Sequence, residues 1–465
     1  NWPKPEPMTA NFAAMSDAGA VGVGAPEVWR KEVTQTDTPS FAATTAAHLA
    51  TGANGRLRNT TTFADNMKLP VHRWFRYSAG YSAEWAADLM RHWKAERVLD
   101  PFGGSGTTVL AAQEQQIQSI GVEVHPMVSR IANAKLLWTE DPHELRDRVR
   151  QVLAEVECER AVEVPAAPLI AKCFPDTESL HGLLRIRDAV LNQRGRDGIA
   201  ELLWLAFVSI IRACSPAGTA QWQYVLPNKT KSRVAEPMSA FEAAGETFAS
   251  DMEMRRFLLG DEPVRATMLN ADARTLEGVD DASADAVITS PPYANNYDYA
   301  DTLRLEQILL GDIEGWSDLK GLRADLLRSA TQNLGRWKAD EALESALMAP
   351  IIDEFKPVYD ELAEIRKERA GNKAYNVMLA GYFYDNAQVF EALRRKTSAG
   401  VKVCYVVGDS APYGIHAPVE KWLGELATAV GFDTWSFTKV RDRNTKWKNR
   451  KHRHPLHEGY LWIEG

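Results

Sequence analysis

No cysteine pair at metal-ligand or redox spacing occurs in this 465-residue sequence. Its four cysteines, Cys158, Cys173, Cys214 and Cys404, stand far apart. That argues against a disulfide framework and a zinc ribbon, and it suits a reducing cytoplasm. No apolar run approaches the roughly 18 residues a membrane span needs. The richest, Leu202 to Ile211, reads as a buried helix. The opening residues carry no basic start followed by an apolar stretch, so no secretion signal is expected. Positive charge is not in excess: 54 Lys and Arg against 62 Asp and Glu give −8. This excludes a protein that grips polyanions by bulk charge and leaves room for a local basic patch. No repeat at a fixed period is found, which excludes a solenoid or propeller. What is there, 45% hydrophobic and 25% charged residues, is an ordinary globular composition. A sizeable core is expected, over about two to four domains.

The first 66 residues are rich in Ala, Thr, Gly and Pro with weak periodicity, and read as an irregular arm (1–66). From about residue 71 the pattern sharpens. Ser82 to Trp93 has helical spacing with Ser82 as N-cap, and Arg97 to Leu99 is a short strand. A glycine loop follows, then a helix from Thr108 to Gln116, a strand from Ser119 to Val124 and a helix from Met127 to Leu137. This alternation predicts an α/β, doubly wound parallel sheet. Residues 141–260 break it with helices over Glu144–Glu159, Leu180–Asn192 and Ile199–Ala213, and read as an inserted helical subdomain. The alternation resumes at Ala266–Leu269 and Asp285–Thr289. A second helical insertion (315–372) interrupts it again. A helix around Phe383–Arg395, a strand at Val401–Val407, a helix at Pro418–Val430 and strands at Phe432–Val440 and Gly459–Ile463 close the chain.

Two segments carry chemistry. Asp100-Pro101-Phe102-Gly103-Gly104-Ser105-Gly106-Thr107 joins a strand to a helix. Glycines there let backbone pass close to a ligand, and the helix start offers unpaired N–H groups. Glu123 lies 20 residues after Gly103, the offset at which an acid reaches ribose hydroxyls. The loop is neither a Walker motif nor GxGxxG, which favours a ligand with a ribose and no phosphate, such as S-adenosylmethionine. Thr289-Ser290-Pro291-Pro292-Tyr293 follows a strand, at the end where ligands sit in such sheets. Proline has no N–H, so this turn presents acceptors. Ser290 Oγ and the Pro291 carbonyl can take the hydrogens of an exocyclic amine, and Tyr293 can lie against an aromatic base. Pulling that nitrogen toward tetrahedral geometry localises a lone pair otherwise delocalised into the ring. Catalysis then reduces to positioning and electrostatics.

Together these motifs resemble those of the amino-group DNA methyltransferases that use S-adenosylmethionine. FGGSG at Phe102–Gly106 matches their cofactor loop, and TSPPY at Thr289–Tyr293 their catalytic motif. FRYSAGYSAEWA at Phe75–Ala86 resembles their extra cofactor segment, Asn270 to Ala273 the segment with an acid near the adenine amine, and VCYVVGDS at Val403–Ser410 a later core strand. The resemblance implies a class I methyltransferase, Rossmann-like, with a seven-stranded mostly parallel sheet and helical insertions. Residues 67–140 and 261–465 would form the catalytic domain. It implies that Tyr77, Asp100, Pro101, Phe102, Gly103, Gly104, Ser105, Gly106 and Thr107 border the cofactor. Glu123 and Val124 would stand at its ribose, Asp272 and Ala273 at its adenine. Ser290, Pro291, Pro292 and Tyr293 would hold the target base, with no metal. The SPPY form points to cytosine N4 in a flipped base of double-stranded DNA, in restriction–modification or phage defence alongside a cognate nuclease. Here the loop precedes the catalytic motif, the reverse of many N4-cytosine enzymes. Adenine N6, guanine N2 in RNA, and a non-catalytic nucleic-acid-binding role stay open.

Two segments are candidates for nucleic-acid contact. Lys439 to Arg453 has eight Lys and Arg against one acid, Asp442, a net +7 in a chain of −8. Within it Arg443, Lys446, Lys448, Arg450 and Lys451 would meet phosphates, and Trp447 would stack on a displaced base. Gln221 to Arg233 combines Trp222, Tyr224, Lys229, Lys231 and Arg233, as base readers or cleft lining. The alternative for each is a solvated loop. Asn295, Asn296, Tyr297 and Tyr299 are expected to shape the pocket mouth.

Overall fold

A computed structural model describes residues 28–30, 41–50, 63–77, 79–157, 161–193, 197–219, 225–294, 298–369, 371–443 and 454–465. The structural statements below concern these residues. In chain order the strands are β1 (Val28–Arg30), β2 (Arg97–Asp100), β3 (Gln118–Val122), β4 (Ala217–Thr219), β5 (Val225–Thr230), β6 (Ala266–Leu269), β7 (Ala284–Thr289), β8 (Thr397–Gly408), β9 (Thr434–Asp442) and β10 (His457–Glu464). The α-helices are α1 (Phe41–Ala50), α2 (Ala83–Trp93), α3 (Thr107–Glu114), α4 (Pro126–Leu136), α5 (Pro142–Glu157), α6 (Pro168–Cys173), α7 (Thr177–Leu191), α8 (Gly198–Cys214), α9 (Pro237–Leu259), α10 (Arg304–Leu310), α11 (Leu319–Asp325), α12 (Asp340–Leu343), α13 (Ile352–Glu368), α14 (Tyr375–Lys396) and α15 (Val419–Ala429).

The main sheet runs β1-β9-β10-β8-β7-β2-β3-β6. Parallel pairing joins β6 to β3, β3 to β2, β2 to β7 and β7 to β8. β10 is antiparallel to both its neighbours, so the seven strands from β6 to β9 form the expected mostly parallel sheet. The short β1 adds an eighth strand, antiparallel on β9. Central strands such as β7 and the second half of β8 are largely buried and mostly apolar because both faces are covered. One face carries α2 and α3, whose Trp85, Leu89, Ala111 and Ala112 pack with Ile288 and Cys404. The other carries α14 and α15, with Tyr382, Phe390, Trp422 and Leu426 against Val287 and Val403. Ser82 caps α2, as expected, its side chain accepting from the Trp85 N–H at 3.4 Å.

Two readings of the sequence change here. The N-terminal stretch is not wholly irregular: β1 extends the sheet, and α1 seats Phe41 against Trp93 and Trp462 while Trp93 Nε1 donates to Thr45 Oγ1 at 3.1 Å. Propensity and period were too weak there to show what tertiary packing imposes. The helical stretch after residue 140 includes a 23-residue helix, α9, and a β4–β5 hairpin with Val225–Thr230 as one strand. Its helices α5, α7, α8 and α9 share one apolar core with α4 and with Phe63, Trp74 and Phe75. α9 also fastens the segment leading to Tyr77. Asp251, its side chain buried, accepts from Val71 N, Arg73 Nε and Nη2 and Trp74 Nε1 at 2.5–3.0 Å. Part of the 315–372 insertion, Asp325 to Leu327, walls the site described next.

Candidate cofactor and catalytic site

The strand order reverses at β2, whose neighbours are β3 and β7. Ligands in open α/β sheets bind at such a switch point, off the carboxyl ends of the strands. Because β2 and β7 are adjacent and parallel, their ends Asp100 and Thr289 stand side by side. Thr289 Oγ1 donates to Asp100 Oδ1 at 2.6 Å. Thr108 Oγ1 and Tyr81 OH donate to Asp100 Oδ2 at 2.7 and 3.0 Å, and the Phe102 N–H donates to Oδ1 at 3.0 Å. Tyr81 OH and Thr108 Oγ1 also bond to each other. Burial pushes the Asp100 pKa up, and these donors offset part of that. Asp100 is therefore a buried knot behind the loop rather than part of the cavity wall. This corrects its reading as a cofactor contact: a loop's spacing does not tell which side of the turn a side chain takes.

The loop itself folds tightly. Gly104 (φ 51°) and Gly106 (φ 88°) adopt left-handed conformations that glycine takes without strain. Gly106 starts α3 and faces Ala132, behind the wall; a Cβ on it would sit 3.3 Å from the Ala132 Cβ. In front of the loop a cleft of about 850 Å³, counting its open mouth, is walled by Tyr77, Pro101 to Ser105, Thr107, Glu123, Val124, Asp272 and Ala273. Its far side is Ser290 and Pro292 of the proline turn. The two motifs, remote in sequence, thus share one cavity. Tyr81, His125, Arg274, Tyr299 and Asp325 to Leu327 complete the wall and were not singled out from sequence as cofactor or catalytic residues. Tyr299 was expected only at the mouth. Tyr81 lay within the segment already noted. His125 could have been marked as the residue before a helix-starting proline. Asp325 to Leu327, at the end of α11, had no local signal.

The electrostatics of the wall are uneven. Glu123 Oε1 accepts the His125 N–H at 2.8 Å, and Oε2 accepts the Gly104 N–H at 3.1 Å. Burial, aided by the charge on Asp100, pushes its pKa up to about 7 against those two N–H bonds. Asp272 is held differently. Arg274 Nε donates to Oδ1 at 3.0 Å and Nη2 to Oδ2 at 2.6 Å. Arg274 Nη2 also reaches the Asp325 carbonyl at 3.0 Å, tying the α11 end to the acid. Buried Asp385 of α14 accepts the Arg328 N–H at 2.8 Å and pairs with the Arg328 guanidinium, fastening the other end of that strap. Ser105 Oγ and both ring nitrogens of His125 are buried without a protein partner. Buried polar groups are normally paired, so this wall is complementary to a polar ligand. An acceptor such as Glu123 beside glycine backbone fits ribose hydroxyls.

At the turn, the Pro291 ring is buried between Ser290 and Pro292, which line the cavity. Tyr293 is half-buried and leans on the α2–β8–β10 cluster. Arg443 stands over its ring, 5.1 Å from the centroid, while its Nη1 donates to the Asp409 carbonyl at 3.0 Å. Gly408 makes this possible, since a Cβ there would come within 2.5 Å of that Nη1. Arg443 was expected at phosphates and is instead turned inward, because a run of charge says nothing of direction. Lys231 is corrected likewise. Its ammonium closes the end of α8, donating to the Arg212 and Ser215 carbonyls at 2.5 and 3.2 Å. Lys229 and Arg233 are exposed near the hairpin. Trp222, Tyr224, Asn295, Asn296, Tyr297, Lys446, Trp447, Lys448, Arg450 and Lys451 lie outside the described residues. His457 pairs with Asp409 and Glu420 at 3.2 and 3.3 Å, and among the described residues no group of three or more His, Cys, Asp or Glu is arranged to hold a metal ion. Nor is any described helix long and apolar enough to cross a membrane.

Comparison with known proteins adds an independent line. A family model described as DNA methylase matches residues 81–134, which run from Tyr81 through the glycine loop and Glu123 into α4. The type II methyltransferase M.BsoBI of Geobacillus stearothermophilus is 26% identical over 426 residues, 83% of this chain and 83% of that protein. The type II methyltransferases M.AvaI of Nostoc sp. and of Anabaena variabilis are each 23% identical over 416 residues, 81% of this chain and 82% of theirs.

Proposed function

We propose that the chain is an amino-group DNA methyltransferase with S-adenosylmethionine as methyl donor, and that it methylates cytosine N4 within a defined sequence of double-stranded DNA. One observation carries the reading: Gly104 and Glu123 open onto the same cavity as Ser290 and Pro292. A cofactor pocket and an acceptor-lined turn at adjacent strand ends are what direct transfer to an amine requires.

Bound there, S-adenosylmethionine supplies an electrophilic methyl group on a sulfonium. Glu123 accepts the ribose hydroxyls and Asp272, oriented by Arg274, faces the adenine. Tyr77, Phe102 and the glycines Gly103 and Gly104 border it. Ser290 Oγ and the Pro291 carbonyl accept the amine hydrogens of an everted cytosine, exposing the nitrogen lone pair. Tyr293, braced by Arg443, flanks the base. The helical layer over α4 and the segment from Lys439 to Arg453 supply sequence reading and phosphate contacts. The relatives are named as type II methyltransferases, which supports a restriction–modification role beside a nuclease of matching specificity.

The test is to incubate the enzyme and labelled cofactor with a randomised duplex library and identify the modified nucleoside by mass spectrometry. N4-methylcytosine in one sequence context is expected. N6-methyladenine would overturn the cytosine assignment. Label entering tRNA but no DNA would overturn the DNA assignment.

A further inference from the structure

His125 occupies a position usually given to a helix-capping side chain. β3 ends at Val122 and Pro126 begins α4, so His125 is the N-cap (φ −74°, ψ 112°). Ser, Thr, Asp or Asn would there accept an N–H of the first turn. The His125 side chain makes no such bond. Its backbone N–H is already engaged by Glu123. The ring is therefore not spent on the helix.

Nor is it spent on another of the described residues. It is 2% exposed, borders the cavity, and has a partner at neither nitrogen. His72, buried with neither nitrogen hydrogen-bonded, and the half-buried His457 differ in having acids beside their rings. The His72 ring lies 3.3 Å from Glu114, and His457 sits between Asp409 and Glu420. Among the described residues the His125 ring pairs with no acid. Burial holds its pKa down to about 4, with only its own backbone opposing, so the ring is uncharged at neutral pH. An uncharged imidazole presents one donor and one acceptor. It can also stand near a sulfonium without repulsion, which an imidazolium cannot. A nucleoside displays both acceptor nitrogens and hydroxyl donors.

We infer that His125 is a cofactor-contacting residue whose imidazole hydrogen-bonds to the adenosine half of S-adenosylmethionine, beside Glu123. The inference rests on the cofactor reading above and adds a contact that reading did not contain. It makes an unusual demand. A group unpaired in the ligand-free protein contributes nothing to folding, so its removal should weaken ligand binding without weakening the fold.

The experiment uses the full-length protein, with S-adenosylhomocysteine and 5′-methylthioadenosine as probes in titration calorimetry. His125→Phe keeps the bulk and removes both nitrogens. It should weaken both probes about tenfold, a loss typical of one hydrogen bond left unmade. The ligand-free Tm should stay level or rise. His125→Asn, which restores a donor and an acceptor, should recover part of the affinity. In the wild type, ring-nitrogen NMR shifts of His125 should move on adding either probe, a readout that needs no variant. Unmoved shifts, wild-type affinity in His125→Phe, or a lowered Tm with affinity intact would each overturn the inference. Loss confined to S-adenosylhomocysteine would assign the ring to the amino-acid half and overturn it too. A wild type that binds neither probe would remove the cofactor reading itself. A wild type that binds both, with His125→Phe unchanged, would remove only His125.

Discussion

Glu123 and Asp272 follow neighbouring parallel strands, β3 and β6, and border the same cavity, yet they are held in opposite ways. Glu123, half-buried like Asp272, receives only backbone N–H groups. Asp272 is partly exposed and gripped by a guanidinium that also fixes the α11 strap. A carboxylate paired with Arg274 is set before any ligand arrives. One lacking a cation, with its pKa near 7, is left incomplete until hydroxyl donors reach it. On the proposed cofactor reading, the cavity thus has a rigid adenine end at Asp272 and a ligand-dependent ribose end at Glu123.

The strongest way to break this contrast is Gly104→Val, which removes the backbone geometry behind Glu123. A β-branched residue is strained at φ 51°, and its Cβ would lie 3.1 Å from Tyr77 Cε1. S-adenosylhomocysteine affinity should drop by more than about 100-fold, a loss on the scale of strain plus a lost charged hydrogen bond. Calorimetric affinity within a few-fold of wild type would show that the loop does not shape the site.

Proton linkage sharpens the contrast next. The folded pKa of Glu123 is raised above its ordinary 4.5 to about 7, so the ligand-free fold binds the extra proton between those values. Its contribution to stability is therefore greatest below about pH 4.5, declines as pH rises through 7, and is flat beyond, a change of up to about 3 kcal/mol. Denaturant melts at pH 5 and pH 8 should diverge less in Glu123→Gln than in wild type. Ribose hydroxyls donating to the carboxylate favour its charged form, so binding should release a proton near neutral pH, visible as buffer-dependent heat. Identical pH profiles for the two proteins would contradict the assignment.

On the other side of the cavity, Arg274→Met frees Asp272 and the Asp325 carbonyl together. About tenfold weaker cofactor binding and a lower Tm are expected, since a half-buried charge loses its partner. If only Tm falls, Asp272 needs no orienting. The smallest effect belongs outside both acids. Arg443→Met should reduce turnover about threefold, in line with one cation–π contact to Tyr293, and leave cofactor affinity unchanged. An equal loss in both would mean that Arg443 supports the fold at large.

What sequence revealed and what it hid follow the range of the interactions. The strand–loop–helix from Arg97 to Glu114, the acid Glu123 and the proline turn are local patterns whose chemistry is written in consecutive residues. The Asp100–Thr289 bond needs the adjacency of β2 and β7, which no spacing reveals. The Asp325–Leu327 wall comes from a helix that looked like part of an insertion. Lys231 and Arg443 counted toward basic segments because composition registers charge without direction, and both point inward. The β5 strand and α1 had neither a clean period nor a turn signal, so packing alone made them.

The bond between Thr289 and Asp100 has a wider consequence. It couples the glycine loop to the proline turn, three residues from Gly103 on one side and one residue from Ser290 on the other. Registration of the reactants is thereby inherited from strand pairing and needs no hinge to create it. Such an architecture lets the helices packed on α4 diverge without disturbing the pairing of β2 with β7 on which the cavity is built.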